Sequence, residues 1–454
     1  MMGNIFLARD YGALGDGTSN DTIAVQSAIN AAAEIGGGYV VLDYGYFVAG
    51  TIYLKSNVWL RIDAGAKLCG SPNIEDYGTD THFNRYVNET DMDRCFIYAE
   101  KAINIGIFGN GEINGGAEHF PNKDDIYRPM MLRFLECKGI RLEGLRLYNS
   151  AAWTTAFLDC ENIWAEGLDI YNHKNYNGDG LNFDGCKNVF VNSCKIYGTD
   201  DNLCLQSSHY PTRNVHITNC NFSSICAGIR IGLKSVVDIS NVVINNCTFE
   251  NVWREGIKIE CTEGGSISDI SISNITMRNV TRPLFVILNN RLSEIGSSVG
   301  ITEMPKIGSM ERIIISNLIA IDDDEMKNTH LRFEDDVMGC PSFAGIRIDA
   351  EENYPINNMT LQNITYSFIG GVNLNQIPTD YPKVLDMRFP QTEKTAENYY
   401  PDWSRTAFMD IRNTRNLVVD NVYFILQNPD ERPHYVIENC DCIKKEITVE
   451  ELKK

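Results

Sequence analysis

The stretch NYNGDGLNFDGCKNVFVNSCKIYGTDDNLCLQSS, from Asn175 to Ser208, carries the residues best suited to chemistry. Asp179 stands in a turn before LNF, and the adjacent Asp200 and Asp201 stand in a turn before LCL, 21 and 22 residues further on. Three carboxylates gathered in one place repel and raise one another's pKa. A structural role alone gives little reason to gather them. Two chemistries suit such a group. One carboxyl can protonate the leaving oxygen of a glycosidic bond while another activates water, with roughly 6.5–9.5 Å between acid and base in an inverting enzyme. Clustered Asp also binds calcium through oxygen, as a β-helical lyase or epimerase would require. Solvated turn residues are the third reading, since Asp is common in turns.

The elements that must position these side chains follow from an internal repeat. A pattern N-[VI]-x-[VI]-x-N-x-x-[FIL] recurs in NIWAEGLDIYN from Asn162, NVFVNSCKIYG from Asn188, NVHITNCNFSS from Asn214 and NVVINNCTFEN from Asn241. Successive copies start 26, 26 and 27 residues apart. Looser copies begin at Gly139, Asp269, Arg312, Asn358 and Asn416. Within each copy apolar and polar residues alternate with period two, the signature of a strand. A period in the twenties is too short for a propeller blade and suits one coil of a parallel β-helix, three short strands joined by turns. Positions one coil apart then stack about 4.8 Å from each other, and the three carboxylates converge on one face. Cys137, Cys160 and Cys186, and Cys194, Cys220 and Cys247, form two columns at the same spacing. They read as small hydrophobes inside the coils.

The ends differ from the middle. Asp21 to Ile35, DTIAVQSAINAAAEI, opens with an Asn-Asp pair and stops at three glycines, which predicts a helix. A solenoid needs its exposed end covered, so this helix is expected to cap the first coil. One domain is expected over 1–454: a cap region over 1–45, regular coils over 46–290 and coils interrupted by long loops over 291–454. The interruptions, Arg291 to Met310, Asp323 to Phe343 and Gly370 to Thr406, are too long for turns and are expected to wall a groove.

Composition narrows the partners. With 60 acidic and 40 basic residues among 454, and a net charge of −20, a phosphate-tracking nucleic-acid binder is disfavoured. No run of 18 apolar residues occurs, so no membrane span is expected. The start, MMGNIFLARDYGALGDG, lacks a basic segment followed by an apolar one. Together with fourteen cysteines and no CxxC pair, this points to reduced thiols and a cytoplasmic location. No phosphate-cradling or dinucleotide motif is present, so no organic cofactor is expected. A blunt solenoid with projecting loops is open to pairing as a homo-oligomer.

The sequence resembles the polygalacturonases, family 28 of the glycoside hydrolases. The resemblance rests on N-x-D-G followed by D-D within a strand-rich repeat. It also rests on DYGALGDGTSNDTIAVQSAINAA and GTIYLKSNVWLRIDAGAKLCGS near the start, SAAWT, RPLFVILNNR and DERPHYVIENC. It implies a right-handed parallel β-helix and inverting hydrolysis of pectic bonds of the galacturonate or rhamnogalacturonan type. By position, Asp200 resembles the general acid, Asp179 and Asp201 the bases that hold the water, and Asn177 the Asn that orients the site. Trp153 matches a subsite aromatic. Two departures stand out. Ala227 occupies the usual His of Gly-His-Gly, and Lys258-Ile259-Glu260 replaces Arg-Ile-Lys. Glu260 is expected to repel a uronate, Lys258 keeps one charge without the fork of Arg, and Arg230 and Arg254 are substitute clamps. His209 is a stand-in for the missing imidazole. The acidic balance disfavours a long polyanion, so the expected substrate is a short pectic oligosaccharide cut from one end. A β-helical lyase or epimerase and a non-catalytic glycan-binding solenoid are the alternatives.

Overall fold

The computed structural model describes residues 4–81, 92–121, 127–290, 306–322, 332–333, 336–337, 345–376 and 404–452. They group into two compact units, Met1–Leu203 with Thr212–Cys220 and Cys204–Pro211 with Asn221–Lys454. Both are built from parallel strands wound as right-handed β-helix coils.

In the first unit each regular coil contributes three short strands. Met130–Leu135, Thr155–Leu158 and Leu181–Asp184 stack as one sheet. Lys138–Glu143, Glu161–Glu166, Lys187–Asn192 and Thr212–Thr218 form the second. Arg146–Tyr148, Asp169–Tyr171 and Lys195–Gly198 form the third. Register places like residues over like: Ile140, Ile163, Val189 and Val215 make one interior column. Phe134, Phe157 and Phe183 stack with ring centroids 5.1 and 4.9 Å apart. Each such buried side chain contributes on the order of 1.5–3 kcal/mol through removal from water. Cys137, Cys160 and Cys186 are fully buried among them, as the repeat predicts.

The corners explain the asparagines. Asn162, Asn188 and Asn214, which open the repeat copies, all adopt left-handed backbone with φ of 57–60°. Asn tolerates this conformation better than other residues bearing a Cβ. Their side chains form a ladder, Asn188 Nδ2 donating to Asn162 Oδ1 at 2.8 Å and Asn214 Nδ2 to Asn188 Oδ1 at 2.9 Å.

The helix spans Thr22–Glu34 and buries Ala24, Val25, Ala28, Ile29 and Ala32 over the strands Ile5–Leu7 and Gly38–Ala49. At its start the two residues of the Asn-Asp pair act separately. Asn20 Oδ1 takes the Thr22 N–H at 3.0 Å, while Asp21 turns inward to accept from Leu14 and Gly15 N–H. Gly36 and Gly37 follow the helix, their N–H groups donating to the Ala33 and Ala32 carbonyls at 3.0 and 2.9 Å. A Cβ on Gly37 would lie 2.5 Å from the Asn57 carbonyl oxygen.

In the second unit the strands Ile239–Cys261, Ser266–Leu288, Ser309–Ile321, Ile356–Phe368 and Leu417–Leu426 follow one another in parallel. Ile244, Ile272, Ile315, Leu361 and Val419 form a core column. Asn241, Asp269, Arg312, Asn358 and Asn416, the remaining copy starts in this unit, again have φ of 52–60°. The expected interruptions after Asn290 lie largely outside the described residues, yet the coils on either side of the first two resume in register. Among the described residues no helix is long and apolar enough to cross a membrane.

Candidate active site

Asp179, Asp200 and Asp201 all belong to the first unit. Coil-to-coil hydrogen bonds bring their turns together: Gly180 N–H donates to the Asp201 carbonyl at 3.2 Å and Leu181 N–H to the Asn202 carbonyl at 2.9 Å. The Asp179 carbonyl is pinned by Thr154, whose N–H and Oγ1 donate at 3.0 and 2.6 Å. Glycine at 180 is required by the close approach, since a Cβ would meet the Asn202 carbonyl oxygen at 2.2 Å. A carboxylate oxygen of Asp179 lies within 4.8 Å of one from Asp201, and Asp200 and Asp201 also approach within 4.8 Å, closer than the roughly 6.5–9.5 Å expected between acid and base of an inverting enzyme. Asp179 and Asp201 are buried and Asp200 is partly exposed.

The carboxylates of Asp179 and Asp200 are oriented by donors. Asn182 Nδ2 donates to Asp179 Oδ2 at 3.2 Å. Asp201 N–H donates to Asp200 Oδ1 at 2.9 Å, and Asn177 Nδ2 to Asp200 Oδ2 at 3.4 Å. Asn177 Oδ1 in turn accepts from Arg128 at 3.1 Å. A water 2.8 Å from each of two oxygens bridges a gap of up to about 5.6 Å, so Asp179 and Asp201 can share one. Calcium wants six to eight oxygen ligands. The N–H donors already aimed at Asp179 and Asp200 compete with a cation there.

The charged residues expected to meet a substrate carboxylate lie in the second unit. Register pairs Arg230 with Lys258 and Lys258 with Phe285. Glu260 is completely buried, and its two oxygens face Arg230 Nε at 2.9 Å and Lys258 Nζ at 3.5 Å. The expectation that Glu260 repels a uronate is therefore corrected: its charge is spent on two cations one coil apart. Lys258 is also fully buried and lies 3.3 Å from Glu255, so it holds carboxylates of the chain and not a ligand at the surface. Glu255 also faces Arg254 at 3.5 Å and Arg282 at 3.8 Å. Burial pushes the Glu255 carboxyl up, but Arg254, Lys258, Arg282 and Arg230 outweigh it and hold it at about 2. Of these four cations only Arg230 and Arg254 retain partial exposure.

Trp153 packs with Met92, Tyr98, Met130, Ala156 and Leu158, the residue only 5% exposed. That burial makes it a core anchor and leaves little ring face for a sugar, against the subsite expectation. His209 is exposed within the 204–211 segment of the second unit. Arg128, Asn182, Glu255 and Arg282 were not singled out by spacing. Arg128 lies 49 residues before Asn177, outside the regular coil period. Glu255 and Arg282 sit where a strand register shifts, which displaces them from the columns.

Comparison with known proteins bears on this site. The family model described as Glycosyl hydrolases family 28 matches residues 50–295. The chain is 27% identical over 289 residues to a probable polygalacturonase of Arabidopsis thaliana, covering 61% of this chain and 59% of that protein. It thus spans less than two thirds of that relative's length. The fold resembles a family 28 exopolygalacturonase of Yersinia enterocolitica, with TM-score 0.73 and 18% identity over 96% of this chain and 78% of that one. It also resembles a hyperthermoactive exopolygalacturonase of Thermotoga maritima, with TM-score 0.66 and 20% identity over 80% and 87%.

Proposed function

The chain belongs to family 28 of the glycosyl hydrolases, and from that premise we propose that it hydrolyses pectic oligosaccharides with inversion, acting from a chain end. The observation that carries this reading is the approach of Asp179 and Asp201 to within 4.8 Å beside a partly exposed Asp200. Repulsion among the three carboxylates favours retention of a proton by one of them. Asp200 gives that proton to the glycosidic oxygen as the C–O bond breaks. Asp179 and Asp201 hold a water on the opposite face of the sugar and take its proton as the oxygen attacks the anomeric carbon. The sugar leaves as a hemiacetal of inverted configuration, and the alcohol leaves neutral.

Galacturonate or a related uronate as substrate is supported by the polygalacturonases among the relatives of this chain. Action from a chain end is supported by the two structurally similar proteins, both exopolygalacturonases. The net charge of −20 favours short fragments over long polyanions. The buried free thiols of Cys137, Cys160 and Cys186 support a reducing compartment, the cytoplasm. The test is a panel of oligogalacturonides and rhamnogalacturonan fragments, with products identified and the anomer followed by proton NMR. Release of monomer or dimer in the inverted configuration is expected. An unsaturated product, or retention of configuration, would overturn the reading.

A further inference from the structure

Arg128 is almost completely buried, with 4% exposure. One guanidinium nitrogen donates to the Tyr176 carbonyl at 2.9 Å and another to Asn177 Oδ1 at 3.1 Å. A guanidinium has five N–H donors and no acceptor. The atom of Asn177 that faces it must therefore be the oxygen. The amide has only two orientations, so Nδ2 is turned the other way, towards Asp200 Oδ2 at 3.4 Å.

The orientation matters because of what the opposite one would do. With the amide reversed, the carbonyl oxygen of Asn177 would face Asp200 and accept the proton of its carboxyl. A general acid whose proton is bound by a neighbouring acceptor has to break that bond before it can protonate a leaving group. We infer that Arg128 is a positioning residue that locks the Asn177 amide so that it donates to Asp200, leaving the acid's proton for the glycosidic oxygen. The inference rests on Asp200 being the general acid, as proposed above. The link to Tyr176 fixes the guanidinium independently of the amide, so the lock is preformed before substrate arrives.

The experiment compares Arg128→Lys, Arg128→Gln, Asn177→Ala and the Arg128→Gln/Asn177→Ala double variant on an oligogalacturonide, with kcat and KM separated and thermal midpoints recorded. Asp200→Asn is the control. Glutamine can accept as well as donate, so it releases the amide, whereas lysine still only donates. A positioning role through Asn177 predicts a fall in kcat of about tenfold or more for Arg128→Gln, short of a full acid-base contribution, with KM changed less than about threefold and kcat partly restored in Arg128→Lys. The double variant should be no slower than Asn177→Ala, because residues acting in one chain are non-additive. Multiplicative losses, a change in KM alone, or full kcat in Arg128→Gln would overturn the inference. Unfolding of both Arg128 variants would overturn it too, by making the residue a structural anchor. If Asp200→Asn retains turnover, the reading of the active site fails instead, whatever the Arg128 variants do.

Discussion

Asp179 and Asp201 come from successive turns of the first unit, and each brings a carboxylate oxygen to within 4.8 Å of the other, while the intervening Gly180 N–H is bonded to the Asp201 carbonyl. The backbone bond and the side-chain approach are parts of one arrangement. The coil spacing that satisfies the main chain also sets the separation at which two carboxylates can grip a single water. Neither side chain needs to be long or flexible to reach it.

The assigned roles separate on leaving-group chemistry. Asp200→Asn should lower kcat on a natural oligosaccharide by about 10²–10⁴-fold, with circular dichroism unchanged. On an aryl glycoside with an acidic leaving group, which needs little protonation, much of that loss should disappear. Asp179→Asn and Asp201→Asn should stay slow on both substrates. Equal losses on the two substrates for Asp200→Asn would reassign the acid.

Glu255 gives an acid-side prediction. Its folded pKa, held at about 2, lies below the ordinary Glu value of 4.5. The stability it contributes is present above pH 4.5 and is lost as pH falls towards 2. Glu255→Gln removes the carboxylate from Arg254, Lys258 and Arg282, which should cost about 3–5 kcal/mol at neutral pH. Denaturant unfolding followed from pH 7 downward should show the two proteins converging. A constant gap would refute the assignment.

Asp349 predicts the opposite slope. Burial, only partly offset by Arg347 and Arg412, raises its carboxyl from 3.8 to about 6. The folded state then binds a proton that the unfolded chain releases, so the stability due to this group is present below pH 4 and is lost as pH rises through 6. The loss is on the order of 3 kcal/mol. Asp349→Asn should match the parent near pH 4 and exceed it in thermal midpoint at pH 7.5. A variant less stable at both values would show that the contact with Arg347, at 3.7 Å, outweighs burial.

The asparagine corners can be tested at Asn188, whose φ is 57°. Asn188→Ala should cost about 1–2 kcal/mol for the left-handed backbone, and about 1 kcal/mol more for the ladder bonds to Asn162 and Asn214. Asn188→Gly removes only the backbone part of that cost. Chemical denaturation should therefore rank the parent above Asn188→Gly, and that above Asn188→Ala. Equal losses in the two variants would place the whole effect in the side-chain ladder.

The coil architecture was readable because it is periodic. The copy starts at Asn162, Asn188, Asn214 and Asn241 are the left-handed corners themselves, and the columns of Cys follow from the same spacing. Asp179, Asp200 and Asp201 were readable for the same reason. The meaning of Glu260 was not. Its neutralisation by Arg230 depends on a pairing 30 residues distant, and a motif comparison sees only the residue type. Arg128 escaped because it reaches Asn177 from outside the regular spacing, and Trp153 because an aromatic beside a site and one beneath it look alike in a sequence.

The asparagine corner also bears on how such a chain can change in length. Asn162 and Asn188 turn the backbone in the same way, and the Nδ2-to-Oδ1 bond between them is repeated between Asn188 and Asn214 of the next coil. A gene segment duplicated from one corner to the next would encode a layer whose upper and lower surfaces already match its new neighbours. Growth by whole layers is thus open to this molecule, while insertion of a partial layer would shift every column beyond it.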